Sequence, residues 1–451
     1  MARRLMAGIA PAALLVACTD SYPTIISNDG SLIGNDEVYG HTPVMMFVNE
    51  QSYFSITATR GTGVLDEEHP GKYFNSVFHV FAFRDGSDLQ GQLTATADMR
   101  RTVFTGSGGA YDAQRMDCLV DGPDYNLGLP AMLSPDRSGA LVPQTDSTLY
   151  YSSVYQDVGY NFFAYHIDDF KPTAASTHRE SGRIWYDLEI DGSQDIMAGT
   201  APRLTRDVLA QKIGDGKLAI SADDQARILN IGNYSTFAAH RGVNPVITLK
   251  HLLTRLQFVA YPGDESADNI RITGISVEGR HRGRLTVAAH NADELGLSFY
   301  DGTRPLELRE ASDGVSPCPA LDPEGYVVHF DESMESLPWS QRPALKIGES
   351  LMLAPDSVYT LTLNYSQVID LGNGRTEEKK LMSRYTLRAG SNEYYFDPAT
   401  GSHIFRPGYF YRVNIVVYGL QDIEVSANVE GWIDGGDIDL DPDESEDFVV
   451  D

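Results

Sequence analysis

One cysteine near the start of the chain stands where lipid chemistry would need it. Arg3 and Arg4 are followed by an apolar stretch, residues 5–16, which ends at a small residue and Cys18. A charged start, a short apolar middle and a small residue at the cut are the layout of a secretory signal. With a cysteine at the cut, the pattern predicts a bacterial lipoprotein signal over residues 1–18. The Cys18 thiol would take a diacylglyceryl group, with palmitate as the expected acyl chain, and become the new N-terminus.

No other group of residues has the spacing of a catalytic or metal site. Four alternating carboxylates between Asp437 and Asp443 hint at calcium, but an EF-hand loop needs glycine where Pro442 stands. The 11 histidines form no HExxH motif, and no CxxC pair suggests zinc. Residues 106–109 lack the lysine of a phosphate loop, and no GxSxG motif marks a nucleophile. We therefore expect no catalytic residue, metal or cofactor, and predict that the chain is not an enzyme.

The charge of the chain argues against two classes of partner. Its 35 basic and 63 acidic residues give a formal net charge of −28, and such a chain repels nucleic acids and anionic lipids. We expect no nucleic-acid partner. After the signal, no stretch has about 18 uninterrupted apolar residues, so no further membrane span is expected. Cys118 and Cys318 could pair in an exported protein, but two thiols are the favoured interpretation.

Short alternating segments between turn signals predict an all-β protein. Residues 359–365 alternate apolar and polar side chains, and Asn373-Gly374 predicts a hairpin with a return strand over residues 380–387. Spacing of this kind favours sandwiches over a parallel α/β sheet. Further strands are predicted at 76–83, 160–166, 183–190, 246–261, 269–278, 326–330, 409–417 and 423–432.

Three features stand apart from this strand pattern. Residues 205–229 have apolar side chains at mixed spacing, which indicates a loop with short helices between two halves. Residues 434–451 are acidic with few apolar members, the composition of a flexible tail. His251 stands among apolar residues of a predicted strand, and we expect it to be packed and hydrogen-bonded, not a ligand.

Several segments, taken in order, resemble the fimbrillin-like family of Bacteroidales, the subunits of type V pili. Two of them look like core strands of the family's N-terminal domain, one like the strand that opens its C-terminal domain, and the last two like its closing strands. Residues 285–353 carry no motif of the family. The matching segments are residues 55–60, 78–83, 160–166, 194–197, 249–258, 406–411 and 425–432.

The resemblance implies two tandem β-sandwich domains with Greek-key, transthyretin-like topology. The organisation it predicts is a lipoprotein signal over residues 1–18, a propeptide over 19–60, an N-terminal sandwich over 61–240, a C-terminal sandwich over 241–433 and an acidic tail over 434–451.

The resemblance also implies how such a subunit is processed. The precursor would reach the outer membrane as a lipoprotein, and a trypsin-like protease would cut after an arginine, releasing the lipid and the first strand. Arg60 matches the processing position. An equally weighted alternative is that Arg60 is simply a polar residue in a loop. The removed strand would be residues 45–58, with Phe47, Phe54 and Ile56 filling a groove. A strand of the next pilus subunit would then take its place, in a fimbria at the cell surface.

A glycan-binding surface protein that stays lipid-anchored is the alternative function. Such proteins share the signal and the β-sandwiches, but they would keep Cys18 and expose a platform of aromatic side chains. The chain has 24 tyrosines but only three tryptophans, Trp185, Trp339 and Trp432. We favour a stalk or tip subunit of a pilus with a role in adhesion, because an anchor subunit would keep its lipid and Arg60 argues against that.

Overall fold

The structure is a computed structural model, and strands dominate it. It describes residues 42–48, 77–89, 118–121, 127–134, 139–144, 149–151, 156–169, 171–214, 218–310, 318–418 and 423–430, without the side chains of residues 370 and 423–430. The predicted all-β class is confirmed, and the predicted helical region contains two of the helices described below.

The strands follow one another closely along the described parts of the chain. In the first half they are β1 (Met46–Val48), β2 (Val77–Arg84), β3 (Cys118–Val120), β4 (Leu129–Leu133), β5 (Ala140–Pro143), β6 (Tyr160–Ile167), β7 (Thr177–Arg179), β8 (Arg183–Glu189), β9 (Ile196–Thr200) and β10 (Val246–His251). In the second half they are β11 (Thr254–Pro262), β12 (Ile270–Arg280), β13 (Arg282–Ala289), β14 (Gly296–Phe299), β15 (Thr303–Glu307), β16 (Tyr326–Val327), β17 (Leu345–Leu353), β18 (Val358–Gly372), β19 (Arg375–Arg388), β20 (Phe396–Asp397), β21 (Ser402–His403), β22 (Phe410–Val417) and β23 (Ile423–Glu430).

The helices are short and lie mostly between β9 and β10. The α-helices are α1 (Arg206–Gly214), α2 (Ala222–Ile231) and α3 (Thr236–Ala239), and short 3-10 turns occur at Glu265–Asn269, Ala292–Glu294, Glu332–Met334 and Trp339–Gln341. The hydroxyl of Ser221 accepts a hydrogen bond from the Asp224 amide at the start of α2, and Gly232 ends the helix with φ of 73°. Both residues are typical of helix caps, and they explain why α2 stops where it does.

The first half of the chain forms a sheet that closes on itself. Its strands follow the order β2-β4-β5-β1-β10-β9-β6, and β6 pairs with β2 to close the ring. β3 also pairs with β2, beyond the part of β2 that pairs with β4. The β1–β10 pair is parallel, and the other pairs are antiparallel. The resemblance predicted a β-sandwich for this region, and the closed sheet is a correction to that expectation.

The closed sheet is buried on two faces along β2 and β6. Successive strand residues point to opposite faces, so Phe78 and Val80 join a cluster inside the closed sheet with the apolar faces of α1 to α3. Phe81 and Phe83 point outward and join a second cluster, which includes the strands of the second half. Burial on both faces explains why these two strands are almost continuously apolar.

The second half of the chain forms two larger sheets that share one core. One has the order β17-β11-β22-β23, and the other has the order β15-β12-β18-β19 with β16 beside β12. Side chains of both sheets, such as Leu256 and Leu361, are buried in the same cluster. The β18–β19 hairpin turns at Asn373 and Gly374, both with positive φ, so the Asn-Gly hairpin prediction is confirmed.

The sheets cross the domain boundary predicted at residues 240 and 241. The single strand predicted over residues 246–261 is two strands, since the chain leaves the closed sheet after β10 and enters another sheet at β11. Between them, the Leu252 amide donates to Ile196, and the Leu253 carbonyl accepts from Gly408. In the other direction, β7 pairs with β8, and β8 pairs with β13 of the second half.

Candidate functional site

The first described strand is inserted between two strands that lie far from it in sequence. β1 runs parallel to β10, with Phe47 opposite Val246. It runs antiparallel to β5, with Met46 opposite Leu141. On one side the Phe47 amide donates to the Pro245 carbonyl at 3.0 Å. On the other side the Val48 amide donates to Gly139 at 2.8 Å. We call the space between β5 and β10 that β1 fills the strand slot.

The residues just before β1 are also held by backbone hydrogen bonds. The Val44 amide donates to the Leu149 carbonyl, and the Tyr151 amide donates to the Thr42 carbonyl, both at 2.9 Å. Residues 42–48 therefore form one extended segment with partners along its length. Removing it would leave backbone groups of β5, β10 and residues 149–151 without these partners, which is costly in a buried place.

The side chains of this segment alternate between the core and the outside. Val44, Met46 and Val48 are buried in the inner cluster, Met46 with only 1% of its surface exposed. Met45 is 42% exposed, and Phe47 is half-buried on the outward side. Val44, Met46 and Val48 therefore supply the core-facing side chains of this segment, while Phe47 lies on its other face. The groove-filling role of Phe47 stays a prediction.

Gly139 shapes the wall of the strand slot next to Val48. It has φ of +74°, and a Cβ at this position would lie 2.9 Å from the Val48 carbonyl oxygen. We expect Gly139→Ala to push β1 away from β5 and to speed hydrogen exchange of the Val48 amide. The left-handed backbone conformation alone would cost alanine about 1 kcal/mol of folding stability, and the contact with Val48 adds to that cost.

Gly86→Ala is the matched control for this variant. Gly86 has nearly the same φ, +73°, but no atom lies within 4 Å of its Cβ position. Hydrogen exchange measured by mass spectrometry should therefore show faster exchange of residues 42–48 in Gly139→Ala alone. Equal exchange in both variants would show that Gly139 does not support β1.

On the far side of the strand slot, a buried histidine lies in close contact with a buried carboxylate. The Nδ1 atom of His251, at the end of β10, lies 2.7 Å from Oδ2 of Asp195, next to β9, and both side chains are almost fully buried. The packed role expected for His251 is confirmed. The pair joins two of the segments on which the family resemblance rested, and it ties β10 to its neighbour β9.

A second histidine, which is half-buried, lies where β6 meets β2. The ring nitrogens of His166 lie 2.8 Å from the Val77 carbonyl and 2.9 Å from the Asp168 carboxylate. Burial alone would lower the pKa of His166, but the hydrogen bond and charge of Asp168, the Val77 carbonyl and the charge of Asp195 outweigh it. The pKa rises to about 9, so the ring is charged at neutral pH and both nitrogens donate.

The charged His166 predicts a loss of stability at alkaline pH. Since its folded pKa is about 9 against an ordinary value of 6.5, its contribution is complete below pH 6.5 and is lost as the pH rises through about 9. His166→Gln should be less stable at pH 6 and should lose less stability between pH 6.5 and 9. Unfolding by urea across this range measures the effect. The exposed His329 supplies the control His329→Gln, and an equal alkaline loss in His166→Gln would contradict the assignment.

Metal-ligating side chains do not come together in the part of the chain that the structure describes. The described residues contain no group of three or more His, Cys, Asp or Glu side chains that could hold a metal ion. A cavity of about 250 Å³ near the end of β6 is lined by Asp168, Asp187 and Glu189 among others. These carboxylates are already paired, with His166, Arg284 and Arg304 respectively. The carboxylates that line the cavity therefore belong to structural ion pairs.

The aromatic side chains of the described region do not form an exposed tryptophan platform. Trp185 is buried, with His178 stacked at 5.1 Å and the guanidinium groups of Arg183 and Arg284 over its ring. Trp339 is half-buried, edge-on to Tyr261. The contacts of Trp185 use the ring faces on which a sugar would stack.

Several predicted site residues lie outside the described residues. They are Cys18, Phe54, Ile56, Arg60, Trp432 and the tail 434–451. Cys118 and Cys318 are both present as thiols, as expected. Among the helices of the described residues, none is long and apolar enough to cross a bilayer.

Comparison with known proteins identifies similar solved structures but no family model and no curated protein. A fimbrial protein from Bacteroides vulgatus is 12% identical with a TM-score of 0.43, over 86% of this chain and 99% of that one. A candidate cell-adhesion protein from Bacteroides uniformis is 11% identical with a TM-score of 0.40, over 86% and 98%. The fimbrial anchor protein Mfa2 from Porphyromonas gingivalis is 9% identical with a TM-score of 0.26, over 86% and 98%. All three of these solved structures are thus fimbrial or cell-adhesion proteins of Bacteroidales.

Proposed function

We propose that the chain is the precursor of a non-enzymatic pilus subunit, in which β1 is a removable strand. The observation that carries the proposal is the strand slot. A short N-terminal strand closes the sheet between β5 and β10, and its buried side chains Val44, Met46 and Val48 belong to the inner core. This strand precedes Arg60 in sequence, so one cut after Arg60 would separate it from the rest of the chain.

The physics of a vacant strand slot supports assembly by strand exchange. Without β1, two strands would present unpaired backbone groups beside an apolar groove, which is a template for an added strand. An extended peptide of another subunit would supply the hydrogen bonds, and its alternate side chains would fill the pockets. Because each subunit would both accept and donate a strand, the contact is head-to-tail and does not close, so a filament grows.

In this proposal the lipid on Cys18 is a temporary tether. It delivers the precursor to the outer membrane and holds it there until a trypsin-like protease cuts after Arg60. The cut releases lipid and strand together, and the subunit joins the stalk or the tip of a fimbria at the cell surface. The other subunits of the pilus are its partners, and adhesion is the role of the assembled fibre.

N-terminal sequencing of the protein recovered from the cell surface tests the proposal. We expect the mature chain to begin at Gly61, and we expect Arg60→Ala to keep the lipid and to form no polymer. Arg206→Ala, an exposed arginine at the start of α1, is the control and should be processed normally. A mature chain that begins at lipid-modified Cys18 and binds glycans without polymerising would favour the glycan-binding alternative.

A further inference from the structure

The strand β19 forms a long open edge of its sheet. Within the described residues it pairs with β18 alone, over its full length from Arg375 to Arg388. Its other side presents backbone groups with no strand beside them in this sheet. Such an edge is a template for an added strand unless charge or cover prevents it.

The outward face of β19 is basic in a chain that is otherwise strongly acidic. Lys380, Arg384 and Arg388 point the same way, together with Met382, which is 57% exposed. None of these three basic side chains forms an ion pair or a side-chain hydrogen bond within the described residues. Most other arginines of the described region lie beside carboxylates or aromatic rings, so an unpaired basic row is unusual in this protein.

The inward face of the same strand is apolar and incompletely covered. Leu381 and Tyr385 pack against the core of the second half and remain half-buried. A strand added beside β19 would cover these side chains with its own inward face. A strand that binds to this edge should therefore have acidic side chains on one face and apolar side chains on the other.

The C-terminal tail has this pattern. Residues 434–451 contain nine acidic residues and no basic one. In an extended conformation Asp437, Asp439, Asp441 and Asp443 point to one face, while Ile438 and Leu440 point to the other, because side chains alternate along a strand. Pro442 is compatible with this role, since a proline is tolerated in an edge strand.

The tail also begins at the correct end of β19. The last residue of β23, Glu430, pairs with Phe410, and Phe410 pairs with Arg255 near the start of β11. The end of β17 lies at the same end of the sheet, and the chain passes from there to β18. Arg388 lies opposite Val358 at the same end. Gly435-Gly436 allows a turn, and the 21 residues after Glu430 reach about 70 Å when extended, against about 45 Å for β19.

We propose that residues 437–443 add to the open edge of β19 of the same chain as an antiparallel strand. The aspartates face Lys380, Arg384 and Arg388, and Ile438 and Leu440 cover Leu381 and Tyr385. The contact needs only one chain and neither Arg60 nor strand exchange, so its failure would leave the pilus proposal standing.

Carbodiimide coupling in the full chain tests this docking. The reagent joins a carboxyl to a nearby amine as an amide, so Lys380 should couple to the carboxyls of residues 437–447. Lys250, an exposed lysine of β10 without an ion pair in the described region, reports chance coupling. An equal mixture of chains labelled with ¹⁴N and ¹⁵N shows whether the two joined peptides come from one chain.

We expect cross-links from Lys380 to the tail within one isotope label, well above those from Lys250. The double variant Arg384→Glu with Arg388→Glu should lower their yield about fivefold, and 1 M salt should do the same by screening. Lys250→Glu should leave the Lys380 cross-links unchanged. Coupling of Lys380 no stronger than that of Lys250 would overturn the proposal, and mixed-label cross-links would assign the edge to the tail of a second copy instead.

Discussion

A chain that begins at Gly61 is expected to lose most of the stability of its closed sheet and to recover it when given the missing strand as a peptide. The lost segment buries Val44, Met46 and Val48. Burial of such side chains contributes roughly 1.5–3 kcal/mol each, so together they account for roughly 5–9 kcal/mol. A whole domain is typically stable by only about 5–15 kcal/mol. Urea unfolding of the processed chain, with and without peptide 42–58, measures both effects.

Two control peptides make this expectation specific to the strand slot. A peptide with Met45→Asp should still bind and stabilise, because Met45 is exposed. A peptide with Met46→Asp should not, because Met46 points into the core. If the processed chain is as stable as the precursor, or if both peptides act alike, β1 is not the strand that closes this sheet.

The same contrast predicts a large effect in the intact precursor. Met46→Asp should destabilise the closed sheet by about 4 kcal/mol or more, since it removes a buried side chain and leaves a charge without a partner. Met45→Asp, one residue earlier, should change stability by less than about 0.5 kcal/mol. Urea unfolding of the two variants beside the unchanged chain measures the difference.

A further property separates a buried carboxylate from an exposed one. A carboxyl buried at position 46 in an apolar place has a raised pKa, so the Met46→Asp variant should lose less stability at pH 5 than at pH 8. The Met45→Asp variant should show no such difference. Equal effects at both pH values would place residue 46 in water and contradict the strand slot.

Local patterns were sufficient to predict the elements that depend on neighbouring residues. The Asn373-Gly374 turn has a strong preference for positive φ, so the β18–β19 hairpin followed from the sequence. β2 and β6 were recognised because aromatic and other apolar residues fill most of their positions. The mixed spacing between β9 and β10 correctly indicated helices, whose ends are marked by residues such as Ser221 and Gly232.

Features that depend on distant pairing could not be predicted in this way. Residues 45–48 are all apolar, so no alternation of apolar and polar side chains shows which of them face the core. Only the pairing with β5 and β10 decides this. The break at Leu252 and Leu253 was missed because no glycine, proline, asparagine or aspartate marks the point at which the chain changes sheets. Gly139 directly precedes β5, and nothing in the sequence signals its contact with Val48.

The structure of the polymer formed by the processed chain tests the central claim most directly. Electron cryo-microscopy of this polymer can show which chain supplies the strand between β5 and β10. We predict a strand from a neighbouring subunit, hydrogen-bonded to the backbones of Gly139 and Pro245 and with its alternate side chains in the pockets now filled by Met46 and Val48. A slot that still holds residues 46–48 of its own chain, or that is closed by direct pairing of β5 with β10, would contradict the account.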